Sequence, residues 1–362
     1  MEIAIIGAGP IGCYTGHLLA ESGHKVAVYE NHSQIGRPIQ CTGIITAEFD
    51  QLGISTEPFL VNSIEEVDVF SPNKAKVSIR DKNYIVCRYK FDNFFAGLAR
   101  KSGAEIYLNH SFLRKEGNEL IIFDSANKIE KKISPDIVIG ADGPLSPTAK
   151  AYGFYHPKRS NYYGIQAIVE GSFDSKKIMT YFGNKVCPGL FAWITPESST
   201  LARVGIATLK NSKYYFDLFI ETNKFKVKEI QAGSIPIYCP QQKLKKGNCY
   251  LVGDASAYVK ATTLGGLVPA LKQAKILAEC INTGKNYERE VKAVKRQMNL
   301  HLSVQKILNK FKDKDWDNLI SYMNQPKIRK VFESYNRDNP FPLLINSIIK
   351  EPRFLSFLKY II

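Results

Sequence analysis

Acidic residues are scarce in this chain of 362: 34 Asp and Glu stand against 49 Lys and Arg, a net charge of +15 at pH 7. Histidine is scarce too, six in all, and none falls in a recognisable motif. No apolar run reaches the ~18–20 residues needed to span a bilayer, so no transmembrane helix is expected. The seven cysteines (Cys13, Cys41, Cys87, Cys187, Cys239, Cys249 and Cys280) form no C-x-x-C pair and are odd in number. That argues against a disulfide framework and against a zinc site, so no metal is expected and a reducing cytoplasm fits best. The first strand begins at residue 2, from which no signal or transit peptide is expected. No nucleic-acid-binding module accompanies the positive charge. A hydrophobic content of 44% and a charged content of 23% are those of a globular protein, long enough for one large or two to three ordinary domains.

What the chain does have is glycine in three informative places: Ile5-Ile6-Gly7-Ala8-Gly9-Pro10-Ile11-Gly12, Val138-Ile139-Gly140-Ala141-Asp142-Gly143 and Tyr250-Leu251-Val252-Gly253-Asp254-Ala255. In the first, an apolar strand from Glu2 to Ile6 runs into Gly7, which allows a tight turn. Gly9 lets the backbone approach a pyrophosphate, and Gly12 lets the next helix pack close to the sheet. That helix, Ile11 to Ser22, points its N-terminal N–H groups at the phosphates. A second strand, His24 to Tyr29, ends in Glu30, 18 residues past Gly12, where an acid accepts hydrogen bonds from ribose hydroxyls. An acid there disfavours a 2′-phosphate. Three such segments in this order describe a chain returning repeatedly to one extended dinucleotide, and the ligand they imply is FAD. In the later segments, Asp142 and Gly143 form a tight turn, and Gly253-Asp254 places a carboxylate beside the cofactor. Gly265 and Gly266 open a helix whose positive end would face the flavin where negative charge collects on reduction.

Periodicity along the chain gives an interrupted α/β architecture. Gly36 to Ile45 reads as a loop. Glu66 to Phe70, Ala75 to Arg80 and Asn83 to Val86 read as short strands, with turns at Ser71-Pro72-Asn73 and Asp81-Lys82-Asn83. Lys90 to Ser102 reads as a helix ended by Gly103; Ala104 to Tyr107, Leu120 to Asp124 and Asp136 to Ile139 read as strands. Residues 160–235 are strand-like without βαβ alternation, hence antiparallel. Pro269 predicts either a kink in the helix pattern from Gly266 to Ile281 or a helix that starts near it. The expected fold is therefore α/β: a Rossmann-like FAD-binding domain (1–60, 88–158 and 236–285) interrupted by an antiparallel-sheet substrate domain (61–87 and 159–235), followed by a basic helical C-terminal region (286–362).

The order of Gly7-x-Gly9-x-x-Gly12, Arg88 before the Asp92-containing helix, Gly140-Ala141-Asp142-Gly143 and Gly253-Asp254 resembles the p-hydroxybenzoate-hydroxylase-like flavoprotein superfamily. Within it the chain is most similar to the geranylgeranyl reductase family over roughly residues 1–285. Gly36-Arg37-Pro38-Ile39-Gln40-Cys41-Thr42-Gly43 resembles that family's cysteine-glycine loop near the flavin. Pro188-Gly189-Leu190-Phe191-Ala192-Trp193-Ile194-Thr195-Pro196 resembles its P-x-x-Y-x-W-x-F-P segment, with Phe191, Thr195 and then Glu197 standing where Tyr, Phe and Lys are usual. The resemblance implies saturation of isoprenoid double bonds by hydride from reduced flavin, in an apolar tunnel lined by Phe191 and Trp193. Arg37 and Cys41 would lie beside the flavin, with Cys41 as a supporting or proton-relay residue. The electron donor stays open between NAD(P)H and ferredoxin. The superfamily also holds monooxygenases and halogenases; the halogenase W-x-W-x-I-P pattern is only half met by Trp193 and Ile194. A flavin electron carrier or membrane-associated adaptor is a further, non-enzymatic reading.

From Lys285 onward sixteen Lys or Arg face eight Asp or Glu, a net +8, interleaved with apolar stretches such as Phe341 to Lys350 and Phe354 to Ile362. Such a tail suits either a peripheral element on an anionic membrane surface, at the inner face of the cell membrane, or an ordinary helical cap. In the first reading Phe354, Leu355 and Phe357 would insert at the acyl boundary.

Overall fold

Glu2–Ile6 is apolar on both faces, with Ile3, Ala4, Ile5 and Ile6 all buried, as suits a parallel strand covered on each side. In the computed structural model, which describes residues 1–335 and 337–360, this strand is central to a six-stranded sheet. The order is Lys245–Lys246, Cys249–Leu251, Ile137–Gly140, Glu2–Ile6, Lys25–Tyr29, Glu105–Tyr107. All pairings are parallel except that of Lys245–Lys246 with Cys249–Leu251. The three glycine segments therefore leave the carboxyl ends of three adjacent strands, the edge at which open α/β sheets bind ligands. The helix Pro10–Glu21 packs against the helices Arg88–Lys101 and Leu267–Thr283. Pro269 sits in the first turn of Leu267–Thr283, where its missing N–H costs nothing; the helix starts near the proline.

The second sheet has eight strands in the order Lys226–Pro236, Asn161–Glu170, Leu201–Thr208, Cys187–Pro196, Lys177–Gly183, Leu60–Phe70, Lys76–Val86, Ile44–Thr46. Every neighbouring pair is antiparallel but one. Lys177–Gly183 runs parallel to Leu60–Phe70, where two distant stretches of chain meet. The turn expected at Asp81-Lys82-Asn83 is instead a bulge inside one long strand. Ile64 pairs with Asn83 while Glu66 pairs with Arg80, so Asp81 and Lys82 together oppose Glu65 alone, one residue extra on the bulged side. The expected loop to Ile45 ends early, because Ile44–Thr46 pairs with Asn83–Ile85. A small sheet of His110–Glu116, Glu119–Asp124 and Ile129–Ile133, of which only the middle strand was legible beforehand, buries Phe112, Leu120 and Ile122 against Ala4 and Ile6.

After Lys285 the chain is helical: Tyr287–Glu290, Lys292–Leu308, Asp313–Met323, Pro326–Ser334, Pro340–Lys350 and a 3₁₀ segment Pro352–Tyr360. Ile361 and Ile362 lie outside the described residues. These helices cover one face of the eight-stranded sheet, while Ser212–Asn223 covers the other, burying Phe216 and Phe219 among Leu190, Ala192 and Ile194. Phe354 and Phe357 pack inward on Tyr322 and Phe311, which corrects the expectation that they reach a lipid surface; Leu355 remains exposed. Among the described residues no helix is long and apolar enough to cross a membrane.

Candidate active site

Every candidate residue named from the sequence except Gly12 lines one cavity of about 1100 Å³. Gly7, Gly9, Glu30, Arg37, Cys41, Arg88, Asp142, Gly143, Gly253, Asp254, Gly265 and Gly266 line one part, and Phe191 and Trp193 another. Gly12 works from behind: a Cβ there would stand 2.0 Å from the Gly7 carbonyl oxygen. Gly7, at φ +103, approaches the second segment so closely that a Cβ would lie 2.5 Å from the Ala141 oxygen. Gly9 is the opposite case. Its missing Cβ faces open space, a cradle beside the N-terminus of Pro10–Glu21, where no side chain caps the helix.

The carboxylates differ in what they still offer. Glu30 accepts hydrogen bonds from the Ala8 amide at 2.9 Å and from the His32 amide at 3.0 Å, which fixes it at the end of its strand. Asp142 is held by the Ser146 hydroxyl and by the Thr148 amide at 2.8 Å, so it shapes its own turn and caps the short helix Pro147–Ala151. Asp254 has no donor on its carboxylate among the described residues and lines the cavity. Burial raises its carboxyl above the ordinary range, against the opposing pull of Arg88 and Arg159. An acceptor without a partner, an empty glycine cradle and the uncapped N-terminus of Leu267–Thr283 at Gly266 are what a dinucleotide with ribityl hydroxyls would complete. The residues fit FAD.

The cysteine loop is built from distant parts of the chain. Cys41 Sγ accepts from the Gly43 amide at 3.3 Å and lies beside the Arg88 guanidinium. Arg88 is locked in a two-point pair with Asp92, both bonds 3.0 Å. Burial works against its charge, which Asp92 and then Cys41 more than restore. Arg37 stacks over Tyr89 at 5.6 Å. Sequence reasoning missed two arginines that hold this region. Arg203 donates to the carbonyls of Thr42 and Val86 and pairs with Glu197, the residue that stands where lysine was usual. Arg159 donates to Pro144 at 2.8 Å, Asp254 at 3.1 Å and Ala255 at 2.8 Å, tying the second glycine turn to the third. A third missed group lies where the C-terminal helices meet the site. Lys260, in the loop before Gly265, is buried against Asp338, which also accepts from Thr46.

Phe191 and Trp193 alternate along Cys187–Pro196 and so share a face, with ring centroids 6.1 Å apart. Phe182 joins them and stacks on Trp316 of the helical region at 4.5 Å. Val304, Ile307, Leu319, Ile320, Leu343 and Ile348 complete an apolar roof over the cavity. Polar stitches fix that roof: Gln305 donates to the Gly189 carbonyl at 2.6 Å, and the Asn184 amide donates to Asp313 at 2.8 Å.

Residues 1–213 match the family described as the FAD binding domain. The chain belongs to that family. It is an FAD-dependent oxidoreductase, and its resemblance to geranylgeranyl reductases is borne out by its curated relatives. The digeranylgeranylglycerophospholipid reductase of Methanocaldococcus jannaschii is 29% identical over 356 residues, covering 90% of each chain. Digeranylgeranylglycerophospholipid reductase 3 of Methanosphaera stadtmanae is 26% identical, covering 91% of this chain and 92% of that one. Among solved structures, a geranylgeranyl bacteriochlorophyll reductase-like protein from Thermoplasma acidophilum superposes with a TM-score of 0.86 at 21% identity, covering 100% of this chain and 99% of that one. The myxobacterial chondrochloren halogenase shares the fold less closely, with a TM-score of 0.67 at 15% identity over 96% of each chain.

Proposed function

We propose that this FAD enzyme saturates the double bonds of isoprenoid chains in membrane lipids or their precursors. The observation that carries the reading is the continuity of the FAD cradle with a large cavity walled by Phe191, Trp193 and the apolar roof. Its volume exceeds the usual ~300–1,000 Å³ of a small-molecule site, as a dinucleotide and a long chain together require. The names of the curated relatives support the same substrate class. In this reading residues 1–60, 88–158 and 236–285 hold FAD, 61–87 and 159–235 form the substrate sheet, and 286–362 close the tunnel.

FAD, when bound, supplies hydride chemistry; the rest falls to side chains. Gly9 and Gly143 leave room for the dinucleotide, Glu30 and Asp254 accept from its hydroxyls, and Gly265 and Gly266 present the helix N-terminus to its flavin end. Arg37, Arg88 and Cys41 shape the wall where the two parts of the cavity meet. Phe191 and Trp193 orient a chain that has no polar handle along its length and keep water from it. The test is anaerobic: the reduced holoenzyme is mixed with unsaturated isoprenoid lipids, and mass spectrometry should show steps of about 2 Da for each added hydrogen pair. Oxygen-dependent gain of an oxygen atom instead would mark a monooxygenase.

The outer face of Pro340–Lys350 supports a membrane-surface role for this region. Phe341 (64% exposed), Ile345 and Ile349 (70%) form an i, i+4, i+8 stripe, extended by Leu355 and Leu358 and bordered by Lys350. An apolar stripe on a strongly basic chain suits an anionic bilayer surface. Co-sedimentation should require anionic vesicles and weaken between low and physiological salt. Equal binding to neutral vesicles, or none to either, would make the region a cap alone.

A further inference from the structure

His301 is out of place. It projects from Lys292–Leu308 into the cavity wall, beside Leu300, Val304 and Ile307, and is 2% exposed. Its Nδ1 is 2.7 Å from the Thr262 hydroxyl, which fixes the ring. Its Nε2 is buried and has no hydrogen-bond partner among the described residues. A buried imidazole nitrogen without a partner is costly unless something else meets it there. Thr262 belongs to the same short loop as Gly265 and Gly266, so His301 is tethered to the segment that presents the helix N-terminus to the flavin end.

On the reading above, the reduction needs a proton, for which the sequence offered only Cys41, held in its loop by the Gly43 amide beside Arg88. We propose that His301 is its donor: it takes up a proton when FAD is reduced and passes it from Nε2 to the alkene carbon opposite the one that receives hydride. The carbon–carbon double bond is replaced by two carbon–hydrogen bonds. Two electrons and one hydrogen arrive as hydride from reduced FAD, which is left oxidised, and the other hydrogen arrives as the proton. The imidazole is left neutral and regains its proton from solvent in the next reduction.

The surrounding charges support the coupling. Burial, then Lys260 and Arg337, push the imidazole down to about 3, and Asp338 opposes them; these are the charged groups that face it. With FAD oxidised the ring is therefore neutral. Negative charge arriving at the flavin end on reduction offsets the two cations and draws a proton onto the ring. Thr262 holds the ring in place through its own hydroxyl.

The first readout is the pH dependence of the FAD midpoint potential in the holoenzyme. One additional proton per two electrons steepens the slope by about 30 mV per pH unit, the tenfold constant of a two-electron couple. His301→Gln should lose that increment and keep its FAD. In single turnover, flavin reoxidation by an unsaturated isoprenoid lipid should slow at least ~100-fold, the lower end for general acid catalysis. In His301→Ala, substituted imidazoles should restore the rate in the order of their acidities, which mere cavity filling would not do. Thr262→Val, which removes only the tether, should show a smaller loss in both readouts and serves if the histidine variants do not fold. Unchanged slope and unchanged reoxidation in His301→Gln would overturn the proposal. Wild-type enzyme that no isoprenoid reoxidises would instead overturn the substrate reading, and the potential slopes would still judge His301.

Discussion

Asp254 offers a prediction with two opposite signs. Its carboxylate lines the cavity with no donor among the described residues, and the nearby Arg159 spends its guanidinium on the carbonyls of Pro144, Asp254 and Ala255. Burial raises the carboxyl, so the folded pKa lies above the unfolded one. The sign follows from linkage: the associated stability is present below the unfolded pKa and is lost as pH rises through the folded value. At neutral pH the apoprotein therefore bears the cost of a buried acid that Arg88 and Arg159 only partly offset, and Asp254→Asn should stabilise it. The same change removes an acceptor for buried hydroxyls of FAD, at a cost of ~1–3 kcal/mol, roughly five- to 150-fold in affinity. Heat is a blunt probe here, since a chain of this length shifts by only about 1 °C per kcal/mol. Denaturant unfolding of the apoprotein at pH 7 and at pH 4, with a parallel fluorescence titration of FAD, is the sharper assay. The apoprotein gain should shrink at the lower pH. A variant apoprotein less stable than wild type, or an unchanged FAD dissociation constant, would refute the placement of Asp254.

Gly9 and Gly12 should separate ligand contact from packing. Gly9→Val puts its side chain into open space, so the apoprotein should keep its stability and lose FAD, whereas Gly12→Ala meets the Gly7 carbonyl and should destabilise by at least the ~1–3 kcal/mol of an overpacked core. Asp338→Ala strands Lys260 and should cost ~3–5 kcal/mol by denaturant unfolding, most of it recovered in Lys260→Met/Asp338→Leu; additive single and double variants would deny the pair. Ile349→Asp should weaken binding to anionic vesicles without changing unfolding, while Phe354→Ala should destabilise and leave vesicle binding per folded molecule unchanged.

The meeting of the glycine segments and Glu30 at one cavity was legible because its determinants are local. Gly7, Gly9 and Gly12 act within one turn of chain, and Glu30 follows at the end of the next strand, so spacing alone carries the geometry. Gly253-Asp254 and Gly265-Gly266 were legible for the same reason. The residues that hold these pieces together were not. Arg159 reaches a carbonyl 95 positions away and Arg203 one 161 positions away, and an isolated arginine has no spacing to betray its partner. His301 and Lys260 have meaning only through Thr262 and Asp338. The false turn at Asp81-Lys82-Asn83 has a related cause. Three polar residues in a row read as a turn locally, but across the sheet two of them face the single residue Glu65 in a bulge.

The C-terminal helices show where periodicity stops being informative. In Pro340–Lys350 only Asn346, Ser347 and Lys350 are polar, so the sequence presents no broad polar face by which to orient it. The fold divides that surface. Leu343, Leu344 and Ile348 line the cavity, while Phe341, Ile345 and Ile349 look outward. An amphipathic pattern reports one neighbour, and a helix apolar on both sides reports two. The first neighbour is the substrate tunnel. The second must tolerate exposed phenylalanine and isoleucine beside lysine, as the bilayer surface proposed above would. The helical cap and the membrane-surface element, which from sequence were competing descriptions of one tail, become on the proposed reading the two faces of a single element: its inner side covers the cavity and its outer side would suit an anionic bilayer.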